Sequence, residues 1–313
     1  MDDTKPRHLG GSLPVPNVQD LAARRDELTH TPTLLDRYVR PQPNTVEVRP
    51  DAPAGEEQEQ VPVVDLGRLL NLAGGREEEA AWLRSACEKW GFFQVVNHGI
   101  PEETVEEMRR NVMGFFALPL AEKAALAQEP GEIEGYGHAF VISEEQTLDW
   151  ADTFFLLTQP LSYRDLRLWP SNPSTFKRTW TGLGLWPHSD AVALTLLLQV
   201  SPVPRLLIRR NGGWIPVMPL PGALVVNVGD VVEVLTNGRY KSVEHRAVVN
   251  AHKQRMSIAA FHSAKFSGMY GPLKEVVGDE EARYRTVSVE EYTKLMLSSK
   301  LDGKNIIDAM KIN

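Results

Sequence analysis

The chain has 313 residues, of which 42% are hydrophobic and 24% are charged, and its formal net charge is −7. This length and composition predict a globular protein with a large core, and the negative charge gives no reason to bind nucleic acid or an anionic membrane. A single cysteine, Cys87, excludes an intrachain disulfide framework. The opening "MDDTKPRHLGG" lacks the apolar stretch of a secretory signal, and no run approaches the ~18 apolar residues of a membrane span. We therefore expect a cytoplasmic protein.

Residues 1–60 are weakly patterned and predict a flexible N-terminal arm. The stretch "RPQPNTVEVRPDAPAGEEQEQ" (Arg40–Gln60) is rich in Pro, Glu and Gln, a composition that is typical of exposed linkers. Order is expected to begin at "VPVVDLGRLL", which predicts a short strand leading into a helix.

The following segment predicts two helices with a short strand between them. Apolar residues of "AAWLRSACEKW" recur at helical spacing, and Gly91 follows as a stop signal. The strand is "FFQVV", and Pro101 opens the second helix with two glutamates in its first turn. His98 lies in the turn between them. It could be a metal ligand, but a turn histidine is the better interpretation, since no second ligand is close in sequence.

From Leu183 to Phe261 the pattern changes to short strands separated by turns. "ALTLLLQV", "RLLIRR", "WIPVMPL", "ALVVNVGDVVEVLT", "KSVEHRAVVN" and "RMSIAAFH" are rich in Val, Ile and Leu, with Gly, Pro or Asn signals between them. "NGG" (residues 211–213) is a strong hairpin turn. Many strands in series predict a sandwich or jelly-roll barrel. The last segment, "SVEEYTKLMLSSKLDGKNIIDAMKI", returns to helical spacing and is expected to pack across that barrel.

A candidate metal site begins with His188 and Asp190 in "PHSDAVALTLLLQ". On a strand, residues i and i+2 project from the same face, so the imidazole and the carboxylate would point together. His245, in "SVEHRAVVN", offers a third ligand from a second strand. Two histidines and one carboxylate that leave three positions open are the arrangement of non-haem Fe(II) oxygenases. Zinc remains possible by ligand type, and both histidines could instead make ordinary hydrogen bonds at strand ends.

Arg255 and Ser257, in "KQRMSIAAF", form a second i, i+2 pair close to His245. A guanidinium and a hydroxyl on one face can hold a carboxylate, because the planar fork of arginine suits bidentate contact. An oxygenase that uses a dicarboxylate co-substrate would need such a pair beside its metal. A surface arginine next to an outward serine is the alternative.

With these motifs in place, the sequence resembles the plant Fe(II)- and 2-oxoglutarate-dependent dioxygenases, in particular the senescence-related, norcoclaurine-synthase-like or codeine-demethylase-like branch. The resemblance covers almost the whole chain. It is carried by "ACEKWGFFQVVNHGI", "EIEGYGHAFVISEEQTLDWADTFF", "PHSDAVALTLLLQV", "LVVNVGDVVEVLTNGRYKSVEHRAVVN", "RMSIAAFHSAKF" and "KLDGKNIIDAMKI".

The resemblance implies a mainly β fold with flanking helices, built on a double-stranded β-helix (jelly-roll) core. Its regions would be the arm over residues 1–60, an N-terminal region over 61–178, the jelly-roll core over 183–265 and a C-terminal helical segment over 266–313.

The resemblance also implies roles for individual residues. His188, Asp190 and His245 would bind iron, and Arg255 and Ser257 would bind the far carboxylate of 2-oxoglutarate. An organic substrate pocket would be lined by Phe261 and Tyr136.

The implied activity is hydroxylation, demethylation or desaturation of a small plant specialised metabolite of the alkaloid, flavonoid or hormone class. Fe(II), 2-oxoglutarate and dioxygen would be required, and ascorbate would support turnover. We expect a monomer that binds neither nucleic acid nor membrane. Two other classes stay open: a non-catalytic relative that keeps the barrel and binds a ligand or a partner, and a β-sandwich interaction module whose ligand triad is coincidental.

The sequence departs from the family between Arg178 and Leu183. Relatives carry there a long helix and an N-Y-Y-P-x-C strand, whose asparagine and tyrosine help to bind 2-oxoglutarate, whereas this chain runs directly through "TWTG". A smaller departure is "VPRLLI" in place of a glycine-leucine-glutamine. The resemblance therefore also implies an incomplete barrel in a catalytically impaired relative, which keeps the metal site but binds 2-oxoglutarate poorly.

Overall fold

The computed structural model describes residues 12–13, 15–24, 36–38, 60–71, 74–130, 132, 134–138, 141, 143–176, 190–203, 205–248, 253–298 and 304–312. The chain divides into two compact units. Unit 1 comprises Met1–Thr45, Glu106–Leu185 and Leu297–Lys300, and unit 2 comprises Val46–Val105, Trp186–Met296 and Leu301–Asn313. Among the described helices, none combines the length and the apolar character needed to cross a membrane.

Helices and strands alternate irregularly along the chain. The described helices are α1 (Val18–Ala23), α2 (Leu66–Leu70), α3 (Arg76–Lys89), α4 (Glu102–Ala117), α5 (Leu120–Ala124), α6 (Asp230–Leu235), α7 (Lys274–Val277), α8 (Val289–Ser298) and α9 (Asn305–Asp308). The described strands are β1 (Val63–Asp65), β2 (Phe92–Val96), β3 (Gly135–Gly137), β4 (Thr153–Phe155), β5 (Leu194–Gln199), β6 (Leu206–Arg210), β7 (Gly213–Pro216), β8 (Leu224–Val228), β9 (His245–Ala247), β10 (Ser257–His262), β11 (Met269–Tyr270) and β12 (Val287–Ser288).

The main sheet of unit 2 has five strands in the order β1-β2-β8-β5-β10. β1 is parallel to β2, and the other neighbours are antiparallel. The register places Thr195 opposite both Phe261 and Asn227, and Asn227 opposite Phe92. Directly opposed residues of an antiparallel pair project from the same side of the sheet. These four side chains therefore form one row across a single face, which is called the site face below.

The opposite face of this sheet is covered by α3. Phe93, Val95, Val226 and Val228 are buried there in one cluster with helix residues such as Ala86. Each fully buried Val or Phe side chain contributes about 1.5–3 kcal/mol to the free energy of unfolding. Because α3 covers this face of the sheet, the site face is the one left for a ligand.

Gly91 ends α3, as its position in the sequence predicts. Its φ of 63° is in the left-handed region, which favours glycine. A Cβ at this position would lie 2.0 Å from the carbonyl oxygen of Lys241. Glycine is therefore required here both for backbone conformation and for the close approach of a neighbouring segment.

A smaller sheet of unit 2 has the order β7-β6-β9. The predicted hairpin joins β6 to β7, with Asn211 at φ 49° and Gly212 at φ 78°, the conformation that a two-residue turn of the primed type requires. β9 pairs with the other side of β6 and places His245 opposite Ile208.

One predicted strand was wrong in its second half. "ALVVNVGDVVEVLT" forms β8 and then the helix α6, because the chain turns at Gly229, the residue before the helix. Val231 and Val234 are fully buried at helical spacing, together with Ile307 of the C-terminal segment. Burial of this apolar stripe outweighs the β preference of valine. The helical interpretation of the C-terminal segment is confirmed by α8 and α9.

Unit 1 is built around an aromatic cluster. Phe115 of α4 stacks on Phe154 at 4.6 Å between ring centroids, and the edge of the Tyr136 ring meets Phe115 at 5.9 Å. The backbone N–H of Val18 donates to Asp152 Oδ1 at 2.8 Å, which holds α1 against this unit. This helix lies within residues 1–60, for which the sequence predicted a flexible arm without a helix. Most of that arm lies outside the described residues.

Candidate metal centre

Asp190 is buried beside the start of β5, with 5% of its surface exposed. Its Oδ2 accepts hydrogen bonds from the Thr195 hydroxyl and from Asn227 Nδ2, the latter at 2.5 Å. Its backbone carbonyl accepts from the N–H of Asp230 at 2.8 Å. Two side-chain donors on one carboxylate oxygen fix the carboxylate plane, and its second oxygen, Oδ1, faces His245.

The local conformation at Asp190 differs from the predicted strand. The residue lies in an irregular segment, and β5 begins only at Leu194. The backbone N–H of Gly229 donates to the carbonyl oxygen of Ala193, and the N–H of Asp230 donates to that of Asp190. These two hydrogen bonds from the turn after β8 hold the segment, as pairing with a strand would in a sheet. A Cβ on Gly229 would lie 2.0 Å from the carbonyl oxygen of Val192, which explains why glycine is needed at the turn.

His245 is the first residue of β9, within the β segment that the sequence predicts. Its Nδ1 lies 3.1 Å from the carbonyl oxygen of Val243, which can only accept, so this hydrogen bond requires the proton on Nδ1 and favours the tautomer that can bind a metal through Nε2. The edge of the ring meets Phe92 at 5.1 Å between centroids. A backbone carbonyl that orients the far ring nitrogen in this way is the usual support of a metal-binding histidine.

His245 Nε2 and Asp190 Oδ1 lie 4.0 Å apart. The two atoms face each other from buried side chains, so the pair could hold one metal ion between them. The donor set suits Fe(II), because imidazole and carboxylate are its usual protein ligands.

His188, the third predicted ligand, lies outside the described residues. Within the part of the chain that is described, no group of three or more His, Cys, Asp and Glu could hold a metal. The structure thus brings together two of the three predicted ligands.

Arg255 and Ser257 meet as predicted, at the start of β10. Arg255 Nη1 donates to Ser257 Oγ at 3.1 Å, and Nη2 donates to Gln199 Oε1 at 3.3 Å. The Nε atom is buried without a hydrogen-bond partner, and no carboxylate among the described residues lies within ion-pair distance of the guanidinium. Burial lowers the pKa of Arg255 to about 10. A half-buried cation whose described partners are neutral can be stabilised by an anionic ligand.

The other predicted site residues occupy different surroundings. Phe261 lies on β10 opposite Thr195 and so belongs to the site face. Tyr136 lies in the aromatic cluster of unit 1, where its hydroxyl accepts from Asn17 Nδ2 at 2.5 Å and burial raises its pKa. Its place in a substrate pocket stays a prediction. His98 uses both ring nitrogens for backbone contacts, 3.0 Å from Gly222 O and 3.2 Å from Ile100 N, as a turn histidine would.

Three polar residues of this site were missed from the sequence. Thr195, Asn227 and Gln199 lie within the otherwise apolar strands "LTLLLQ" and "LVVNV". Buried polar groups are almost always hydrogen bonded. A polar residue within a run that is predicted to be buried is therefore the signal that could have found them, since it implies a specific partner.

Two family models match this chain. One, the non-haem dioxygenase in morphine synthesis N-terminal region, matches residues 61–172, and the other, the 2OG-Fe(II) oxygenase superfamily, matches residues 162–264. Together they cover more than half of the chain.

Individual relatives agree with these models. S-norcoclaurine synthase 1 of Coptis japonica is 41% identical over 355 aligned positions, which include 97% of this chain and 98% of the relative. Oxoglutarate-dependent flavonoid 7-O-demethylase 1 of Ocimum basilicum is 36% identical, with 99% of this chain and 95% of the relative covered. The crystal structure of JOX2 in complex with 2OG, Fe and JA superposes with a TM-score of 0.79 at 29% identity, covering 96% of this chain and 99% of JOX2. The chain therefore belongs to the plant 2OG-Fe(II) oxygenases, and it is a 2-oxoglutarate-dependent dioxygenase with a jelly-roll core.

Proposed function

We propose that His188, Asp190 and His245 hold the ferrous ion of this dioxygenase, and that Arg255 and Ser257 bind the far carboxylate of 2-oxoglutarate. The observation that carries this proposal is the facing pair of His245 Nε2 and Asp190 Oδ1, 4.0 Å apart and buried. The half-buried guanidinium of Arg255 supports it, because a dicarboxylate co-substrate needs a cation to bind its far carboxylate.

Each residue has a distinct task in this proposal. With iron bound, the centre supplies the oxidation of a substrate C–H bond by dioxygen, coupled to conversion of 2-oxoglutarate into succinate and carbon dioxide. Thr195 and Asn227 hold the Asp190 carboxylate in one orientation, and the carbonyl of Val243 does the same for the His245 ring. Arg255 sets where the co-substrate lies along the site face. Phe92, which is fully buried, packs against His245 and excludes water from that side.

We propose a small plant specialised metabolite of the alkaloid, flavonoid or hormone class as the organic substrate, which is hydroxylated, demethylated or desaturated. The support comes from relatives: one is named for demethylating a flavonoid, and JOX2 was crystallised with JA. Phe261, half-buried on the site face, is proposed to line the pocket, and Tyr136 is proposed as a pocket residue from the family resemblance alone.

Coupled turnover tests this function. Purified protein is incubated with Fe(II), 2-oxoglutarate, ascorbate and oxygen, and succinate release is measured across panels of alkaloids, flavonoids and hormones. We expect at least one compound to raise succinate release and to be oxidised in equal amount. The matched control is Asp190→Ala, which should show neither. Absence of succinate in the parent, with iron bound, would favour the impaired relative.

The impaired relative stays a prediction, which the gap in the sequence motivates. The alignment with S-norcoclaurine synthase 1 runs over 355 positions although this chain has 313 residues, so the relative contains residues for which this chain has no counterpart. The predicted gap between Arg178 and Leu183 lies outside the described residues. Inserting a family-like segment between Arg178 and Gly182 should raise thermal stability and turnover, because a missing core strand exposes ladder groups and apolar faces. Normal succinate formation by the chain without the insertion would contradict this expectation.

We further propose that the enzyme acts in the cytoplasm as a monomer. The single cysteine and the net charge of −7 support this proposal. Fluorescent fusion imaging and light scattering of the purified chain test the two parts separately.

A further inference from the structure

The Arg255 guanidinium is held from two sides by neutral acceptors. One is the Ser257 hydroxyl and the other is the side-chain oxygen of Gln199, 3.1 Å and 3.3 Å from the two Nη atoms. Ser257 and Gln199 are directly opposed in the β10–β5 ladder. The arginine therefore spans two strands, and its orientation depends on the residue at the end of β5 as much as on Ser257.

The Gln199 amide has only one orientation that satisfies its surroundings. Its Nε2 donates to the carbonyl oxygens of Ser201 and Val203 at 2.8 Å and 2.7 Å. A flipped amide would place its oxygen against two carbonyl oxygens and its N–H groups against the N–H groups of Arg255. The turn at 200–203 is itself tied down, since Met256 N donates to Ser201 Oγ at 2.8 Å. The Gln199 oxygen is consequently aimed at Arg255 by fixed neighbours.

We propose that Gln199 is the positioning residue for Arg255: it aims the guanidinium at the far carboxylate of 2-oxoglutarate and, being neutral, leaves the positive charge available to that carboxylate. This inference rests on the proposed function of Arg255. It adds that discrimination for a dicarboxylate depends on an amide at position 199.

The side chain at position 199 must be neutral for this role. A glutamate there would place a negative charge against the guanidinium in a buried setting, where it would pair with Arg255 and compete with the co-substrate. A methionine would keep the length of the side chain but lose the acceptor. Both substitutions lose the donation to Ser201 and Val203, so the difference between the two variants reports the effect of the added negative charge.

Gln94 provides a matched control. It is a buried glutamine of β2 whose amide also bridges a neighbouring loop, with Nε2 donating to Met218 O at 3.0 Å and Oε1 accepting from Leu220 N at 2.8 Å. No hydrogen bond joins it to Arg255 in the part of the chain that the structure describes. Gln94→Met removes the same kind of buried amide without touching the guanidinium.

The test compares two 2-oxo acids. Dissociation constants of 2-oxoglutarate and of 2-oxopentanoate, which lacks the far carboxylate, are measured by anaerobic titration of the Fe(II)-loaded full chain. The parent should prefer 2-oxoglutarate. Gln199→Glu should reduce that preference by roughly tenfold to a hundredfold, and Gln199→Met should reduce it by less. Affinity for 2-oxopentanoate and for Fe(II) should stay at the parent value in both variants, and Gln94→Met should keep the preference.

The outcomes separate the two proposals. A parent without preference for 2-oxoglutarate would sink the assignment of Arg255 as the carboxylate anchor. A parental preference that persists in both Gln199 variants would overturn the role of Gln199 alone. Equal loss in Gln94→Met, or a loss of Fe(II) affinity in the Gln199 variants, would show a general packing effect and would also overturn it. If Gln199→Glu does not fold, the result for Gln199→Met decides.

Discussion

Glu233 and Arg255 of unit 2 carry charges that are stabilised in opposite ways. Glu233 of α6 accepts from Lys304 Nζ at 3.2 Å, from the backbone N–H of Ser242 at 2.7 Å and from the Tyr284 hydroxyl at 3.1 Å. Its charge is matched by a cation of its own chain. Among the described residues, Arg255 is held by the neutral Ser257 and Gln199, and no carboxylate there lies within ion-pair distance. A buried charge that the fold itself neutralises is structural, whereas one that is only oriented by neutral groups is available to a ligand.

The Asp190 carboxylate, an anion, is also oriented by neutral side chains. It accepts from the neutral Thr195 and Asn227 and presents its second oxygen toward His245. One end of the site thus carries an oriented anion, which suits a metal cation, and the other carries an oriented cation, which suits a carboxylate.

Loss of the Asp190 carboxylate should have the largest effect. Asp190→Ala removes one of three proposed iron ligands, so we expect Fe(II) affinity to fall by more than about a hundredfold, measured by anaerobic titration. Asp20→Ala on α1 in unit 1 is the control and should bind Fe(II) like the parent. Unchanged iron binding in Asp190→Ala would exclude this residue as a ligand.

Removal of the Arg255 charge should have the next largest effect. Arg255→Leu should weaken 2-oxoglutarate binding by at least the ~1.5–3 kcal/mol of a charge-assisted hydrogen bond, while the iron content stays at the parent value. Arg255→Lys keeps the charge but loses the planar fork, so an intermediate affinity is expected. If Arg255→Leu and the parent bind 2-oxoglutarate with equal affinity, Arg255 does not bind the far carboxylate.

The neutral donors around Asp190 should matter less than the ligand itself. Thr195→Val keeps the shape of the side chain but loses the hydroxyl donor, and Asn227→Leu removes the amide donor. Loss of such a supporting contact typically costs about 10–100-fold in metal affinity. Thr195→Ser restores the hydroxyl and should recover iron binding. If Thr195→Val and Thr195→Ser bind Fe(II) equally well, the hydroxyl does not orient the carboxylate.

The smallest effect is expected at the ion pair of Lys304 and Glu233. It should change the free energy of unfolding and not ligand affinity. Lys304→Met leaves Glu233 without its cation and should lower the free energy of unfolding by about 1–2 kcal/mol, since Lys304 is partly exposed to solvent. Affinities for Fe(II) and 2-oxoglutarate should not change. Denaturant unfolding, run beside the two titrations, checks both parts; a selective loss of ligand binding would contradict the distinction between structural and ligand-binding charges.

Local patterns in the sequence predicted much of this fold. Helical spacing before Gly91 and the turn at Asn211 and Gly212 are confirmed by α3 and by the β6–β7 hairpin. These features depend on neighbours in sequence, where periodicity and backbone preference decide the outcome. The helix α6 was missed because its valines prefer strands, and the cluster in which they are buried includes residues of the distant C-terminal segment.

Spacing along the chain predicted the candidate ligands and the Arg255–Ser257 pair, whereas the contact between Gln199 and Arg255 could not be predicted from it. Asp190, Arg255 and Ser257 were identified from i, i+2 spacing and His245 from a second predicted strand, and the resemblance to the family implied their roles. Gln199 meets Arg255 only through the pairing of β5 with β10. Such a register is set by the whole sheet, so no local pattern specifies it.

The most direct measurement is a crystal structure of the full chain with Fe(II) and 2-oxoglutarate, grown without oxygen. We predict one iron bound by His188, Asp190 and His245, with the far carboxylate of 2-oxoglutarate against Arg255 and Ser257. Asp190 should bind through Oδ1 while Thr195 hydrogen bonds Oδ2. Iron held by other residues, or a far carboxylate that contacts neither Arg255 nor Ser257, would contradict this account.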